Sequence, residues 1–183
     1  MTARPSTPRA TVVVGIGQPL GGDDAVGLVV AAHLRTTGIQ ATSVEDGAAL
    51  AELLSTAERA VIIDAVVGAG PPGTVIHLRG DELTELATSG IARASAAPLS
   101  SHGLSVALAV SIARALGGAA EAHLVGIAIA PPRDVRQSLP RDVRQSLPHT
   151  ASASLSEPVA AAVELAAARV RELLRAPGAE EPS

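Results

Sequence analysis

"VVVGIGQPLGGDDAVG", residues 12–27, decides how the rest of the chain is read. Val12, Val13 and Val14 run unbroken into Gly15, and Gly17 and Gly21 follow closely. A continuous β-branched run that ends in glycine is the pattern of a buried strand. Asp23 and Asp24 then stand where an apolar helical pattern begins. The segment therefore reads as strand, tight turn, helix, the opening unit of an α/β fold. Such a turn serves either a phosphate, held on free N–H groups, or the acidic half of a metal or peptide site.

The phosphate reading has the right context and the wrong charge. A dinucleotide fingerprint is G-x-G-x-x-G. Here the spacing is Gly15-x-Gly17-x-x-x-Gly21, with Pro19 inside, and Glu45 or Asp46 ends the next strand where a ribose-binding acid would sit. Asp23 and Asp24 occupy the helix start, where a pyrophosphate needs positive potential. A plain capping role also stands open, since one Asp cap stabilises a helix by about 0.5–2 kcal/mol.

Outward from this unit the elements alternate. A helix is expected from about Asp24 to Thr37, with Val26, Val29, Val30, His33 and Leu34 on one face and Gly38 closing it. A strand over 39–46 and a helix over 47–58 follow. "RAVIIDAVV" (59–67) is the clearest buried strand, read as ending in Asp64 ahead of the "GAGPPG" turn. A strand over 73–78 comes next with no helix between, an arrangement open to antiparallel pairing of the two. "HGLSVALAVSIARALGG" reads as a helix with Leu104, Leu108, Ile112 and Leu116 on one stripe. A last strand (122–130) and a last helix (156–175) complete the order, with Ser156 as N-cap and Pro158 in the first turn.

The expected fold is α/β in three layers, with a twisted, mostly parallel five-stranded sheet, one antiparallel strand and helices on both faces. One domain spans 11–175, between disordered tails at 1–10 and 176–183. "PRDVRQSL" occurs twice, filling 132–147. Two copies are too few for a solenoid, which needs about three. They read as a duplication tolerated in a surface loop, or as an arginine-rich docking loop.

Composition narrows the chemistry. The 183 residues contain no Phe, Tyr, Trp or Cys, so the core is aliphatic and base-stacking platforms, disulfides and thiolate nucleophiles are excluded. All 14 basic residues are Arg, and Lys and Asn are absent, the mark of a GC-rich codon bias. Missing Lys removes a Walker-type lysine and Schiff-base chemistry. A net charge of −4 opposes a nucleic-acid partner. The opening "MTARPSTPRA" lacks the apolar stretch of a signal peptide, and no apolar run approaches the about 20 residues of a membrane span. The expected location is the cytoplasm, without membrane insertion.

The remaining candidates are acids and one imidazole. Sites in open α/β sheets lie at the carboxyl ends of strands. Asp24 follows the first strand, Asp64 ends the third, and His102 opens a later helix. Two carboxylates and an imidazole at one sheet edge suit a divalent transition metal. Taken singly, each is also an ordinary cap or turn residue, and spacing alone does not show that they converge. His33 and His77 read as structural, His123 and His149 as peripheral. No G-x-S-x-G elbow and no H-E-x-x-H is present.

"VVVGIGQPLGGDDAVG", "DGAALAELL", "VIIDAVVGAGPPGTVIHL", "SSHGLSVALAV" and "HLVGIAIAP", in that order, resemble the hydrogenase maturation proteases. These endopeptidases trim the C-terminus of the [NiFe]-hydrogenase large subunit. The resemblance implies an α/β fold and a nickel-binding trio that falls here on Asp24, Asp64 and His102. It implies nickel carried by the large-subunit precursor rather than resident, cleavage of a short C-terminal peptide, and a monomer. Asp24 and Asp64 are then the catalytic candidates, positioning water or binding the substrate's nickel. Gly15, Gly17, Gln18, Asp23 and Asp46 are the candidates for turn and substrate contacts. Gln18 stands where the family usually has Asn, and the glycine-threonine usual after the second strand is missing. The alternatives are a non-catalytic metal-pocket scaffold or chaperone, and a nucleotide-binding α/β enzyme.

Overall fold

In a computed structural model the described residues are 11–67, 69–83, 85, 106–119, 121–130 and 154–176. The expected tails (Ala176 apart), the repeat at 132–147, Leu104, His102 and His149 lie outside them. The centre of the sheet is the pair β3 (Arg59–Val67) and β5 (Glu121–Ile129), parallel and in register along all nine residues of each. Both strands are apolar almost throughout and buried on both faces, which is why they read as unbroken runs. β1 (Thr11–Ile16) pairs with β3 and with β2 (Thr42–Val44), both parallel. β4 (Val75–Arg79) is the antiparallel strand, and the order is β2-β1-β3-β5-β4.

The sheet is mostly parallel with one antiparallel strand, as expected, but β4 pairs with β5 and not with β3. The edge of β3 that a direct hairpin would need is filled by β5. The turn after β3 therefore passes over β5 to reach the sheet edge, and it is fastened there by Gly73 N–H to Ala128 O and Ala128 N–H to Thr74 O, each at 2.8 Å.

Among the described residues, four longer helices cover the two faces. α1 (Val26–Thr36) and α4 (Glu157–Arg175) share a core with Val13, Val61, Ile63, Val125 and Ile127. α2 (Gly47–Ser55) and α3 (Val106–Ala115) share another with Val14, Ile62 and Leu124. Successive strand residues thus feed opposite cores, the period-two rule of a sheet covered on both sides. The crossover from β1 to β2 runs one way across the sheet and that from β2 to β3 runs back. Crossovers of one hand must then lie on opposite faces, which is where α1 and α2 are.

Two helix faces differ from expectation. On α1 the buried residues are Val26, Gly27, Val30, Ala31 and Leu34, while Val29 is exposed and His33 half-buried. Gly27 turns the helix: a Cβ there would collide with the carbonyls of Ile16 and Ile63, so the backbone rests directly on β1 and β3. On α3 the small residues Val106, Ala107, Ala109, Val110 and Ala113 face the core. The expected stripe points outward, with Ile112 37% and Leu116 68% exposed. Helix α2 ends at Ser55, short of residue 58, and β2 is a three-residue edge strand paired with β1. No helix among the described residues is long and apolar enough to cross a membrane.

Candidate functional site

The strand order turns in both directions from the β1–β3 pair, so the crevice at their carboxyl ends is the switch point where open α/β sheets place ligands. β1 stops pairing with β3 at Gly15–Ile63, and Asp64 is the next residue on β3. β3 itself continues three residues further beside β5, so Asp64 lies within the strand rather than at its tip.

The glycine-rich turn brings Asp24 to the same place. Gly21 N–H donates to Gln18 O at 2.9 Å, closing the turn after β1. Gly22 then takes φ +62°, a left-handed value that favours glycine. Gly22–Ala25 form a 3-10 turn, so α1 starts at Val26 and not at Asp24. Gly15 and Gly17 serve close approach: a Cβ on Gly15 would strike the Gly27 carbonyl, and one on Gly17 the Asp24 carbonyl. The Asp24 N–H is turned back onto Gly21 O at 3.3 Å. With Asp23 and Asp24 both in this first turn, the segment is no cradle for a pyrophosphate.

Asp64 is 2% exposed, and its Oδ1 accepts the Ala65 N–H at 2.8 Å. Burial pushes its carboxyl well above the usual carboxylate range; the Ala65 N–H opposes this, and the charge of Asp24 raises it further. Asp24 and Asp64 are therefore brought within electrostatic reach of one another. A buried carboxyl poised beside a second acid is suited to moving a proton or to meeting a cation, whose charge relieves the repulsion. Among the described residues no group of three or more His, Asp or Glu side chains is placed to hold a metal ion, and His102 lies outside them.

The other candidates fall into structural places. Gln18 is exposed and its Nε2 donates to Glu45 O at 3.0 Å, joining the turn to the end of β2. Asp46 is the N-cap of α2, accepting the N–H groups of Ala48 and Ala49, both at 2.8 Å. Asp23 accepts two bonds from Ser156, at 2.6 Å from its N–H and 2.8 Å from its hydroxyl. Ser156 is the N-cap residue of α4, as expected, yet its side chain does not cap that helix.

A polar chain at the opposite end of the sheet was not visible in the sequence. Arg169 Nη2 meets His77 Nδ1 at 3.1 Å, His77 Nε2 meets His123 Nδ1 at 3.1 Å, and His123 Nε2 meets Glu121 Oε1 at 2.8 Å. Arg59 closes it, with Nε 3.1 Å from Glu121 Oε1. His123 is buried, not peripheral, because it sits diagonally opposite His77 across the antiparallel β4–β5 pair. His77 is held in this chain, and His33 Nε2 lies 2.6 Å from Glu164 Oε2, joining α1 to α4.

This architecture has counterparts among solved structures. The chain is similar to the [NiFe] hydrogenase maturation protease HybD from Thermococcus kodakarensis, at 26% identity and a TM-score of 0.60, covering 89% of this chain and 97% of that one. The fold is that of the hydrogenase maturation proteases. The maturating endopeptidase HybD from E. coli shares it at 23% identity and a TM-score of 0.63, over 90% of this chain and 91% of that one. A hydrogenase 2 maturation peptidase from a Thaumarchaeota archaeon shares it at 25% identity and 0.54, over 91% and 99%. No protein-family model matches the sequence, and no curated protein does.

Proposed function

We propose that this chain is a nickel-dependent endopeptidase that removes a short C-terminal peptide from the nickel-loaded large-subunit precursor of a [NiFe] hydrogenase. The observation that carries the reading is the buried Asp64, with Asp24 on the adjacent turn, at the switch point of a maturation-protease fold. The reading makes nickel part of the substrate, carried in by the precursor. Asp24, Asp64 and His102 are its proposed contacts, the last from the sequence resemblance alone. Two carboxylates and an imidazole are a donor set suited to such an ion. The protein is proposed to work as a cytoplasmic monomer.

The two acids have separable tasks. Asp64, with its raised proton affinity, takes a proton from the water that attacks the scissile carbonyl and returns it to the amine nitrogen as the C–N bond breaks. Asp24, less buried, stays with the cation. The test is direct: incubate the protein with nickel-loaded precursor and weigh the precursor's C-terminus by mass spectrometry. A loss of mass by one peptide is expected with wild type and not with Asp64→Asn. An uncut precursor with wild type favours the scaffold reading, whereas full cleavage by the variant removes Asp64 from the chemistry.

A further inference from the structure

Asp23 and Asp24 are adjacent, but their carboxylates are engaged differently. Each oxygen of Asp23 accepts a bond from one residue 133 positions away, Oδ1 from the Ser156 N–H and Oδ2 from the Ser156 hydroxyl. Ser156 is extended (φ −65°, ψ 154°), and its hydroxyl makes no bond to the first turn of its own helix. An acid from the turn after β1 therefore holds the N-cap residue of α4, in addition to Glu157 in the first turn of the helix itself. Asp23 also stands at the positive end of the α4 dipole, where a negative charge is favoured.

This grip ties the reactive turn to a rigid body. α4 is fixed independently of Asp23, through Val159, Ala162, Ala166 and Val170 in the core. Its first turn is also wedged against the β3–β4 connection, since a Cβ on Gly73 would strike the Pro158 carbonyl. On the opposite side the Gly22–Ala25 turn rests on the residue that follows β1, Gly17, which leaves room only for hydrogen beside the Asp24 carbonyl. The turn that carries Asp24 is thus clamped between the end of β1 and α4, and Asp23 is the α4 side of the clamp.

We propose that Asp23 is a positioning residue for peptide cleavage: by gripping Ser156 it fixes the direction in which Asp24 faces Asp64. This rests on the reading of Asp24 and Asp64 as the reactive pair. Both carboxylate oxygens of Asp23 are already engaged by Ser156, which makes it a positioning residue rather than a catalytic one.

The test measures kcat and KM of the full chain on nickel-loaded precursor for wild type, Asp23→Ala, Asp23→Asn and Arg169→Met. A small misplacement of a reactive group costs up to about 100-fold in rate, so Asp23→Ala is expected to lose about tenfold or more in kcat, with KM little changed. Asn keeps an acceptor for the Ser156 N–H and gains a donor for its hydroxyl, so Asp23→Asn is expected to restore wild-type kcat. Arg169→Met loosens α4 away from the site, and at a matched fall in Tm it is expected to keep wild-type kcat. Wild-type kcat in Asp23→Ala, or an equal loss in Arg169→Met, overturns the inference. Should Asp23→Ala not fold, Ser156→Ala takes its place. If wild type leaves the precursor uncut, the proposed function has failed, and amide exchange of the free protein decides this inference separately. Faster exchange over 22–25 in Asp23→Ala, restored in Asp23→Asn, supports the clamp; unchanged exchange overturns it.

Discussion

Asp64 carries its charge against the stability of the fold. Burial is the main cause, the Ala65 N–H opposes it, and Asp24 adds to it. The folded chain therefore holds a proton that the unfolded chain gives up at about pH 4. Stability is fully present below that value and is lost as pH rises through the folded pKa, by up to about 1.4 kcal/mol per pH unit for one proton. Asparagine has the same shape and no charge. Asp64→Asn is expected to melt at a higher temperature than wild type at pH 8 and to converge with it near pH 4, while precursor cleavage falls about 100-fold or more. Thermal melts across this range check the first part; a variant less stable than wild type at pH 8 contradicts it. Asp64 was legible as a candidate because an acid inside an apolar run is conspicuous. Its pairing with Asp24 was legible only as a possibility of topology, and His102 stays an expectation from sequence.

At the scale of elements, apolar period gives the presence of a helix more readily than the face it buries. β3 was read at its observed bounds because a strand covered on both sides is apolar at every position. α3 offered two apolar faces, one of leucines and isoleucine and one of valines and alanines. The sheet takes the smaller one, and larger side chains point away from it. Leu116→Ser is accordingly expected to change stability by less than about 0.5 kcal/mol. Val110→Ala, which empties part of a filled core, is expected to cost about 1.5–3 kcal/mol. The buried face of α1 differs from its apolar stripe for a related reason, since Gly27, a weak helical residue, lies directly against the Ile16 and Ile63 carbonyls. Gly27→Ala must push α1 off the sheet beside Asp64. It is expected to destabilise by about 1–3 kcal/mol, although alanine is the better helix former by about 1 kcal/mol. Urea unfolding of the three variants measures all these values, and a Gly27→Ala variant as stable as wild type argues against direct backbone contact there.

Across the whole molecule, what the sequence leaves unread is contact between distant elements: Asp23 with Ser156, and the chain from Arg169 to Arg59. The second has a polarity that follows from chemistry alone. An arginine only donates, so His77 Nδ1 must accept and His77 Nε2 must carry the proton. His123 Nδ1 then accepts from His77, and its Nε2 donates to Glu121. The hydrogen bonds from Arg169 to Glu121 are all satisfied in this arrangement, and a proton added to His77 Nδ1 confronts the Arg169 donor. Burial lowers the His77 pKa most, followed by the charges of Arg169, His123 and Arg79, while Glu82 acts the other way. On acidification below about pH 6.5 the unfolded chain takes up the proton first, so stability falls until the folded His77 titrates and then levels off. Glutamine supplies an acceptor and a donor but takes no proton. His77→Gln is therefore expected to lose less stability than wild type between pH 7.5 and pH 5, even where it is the weaker protein at pH 7.5. Urea midpoints measured at both pH values give the comparison. Equal losses in the two proteins would place the acid sensitivity outside this chain of side chains, whereas a smaller loss in the variant locates it at the join between β4, β5 and α4.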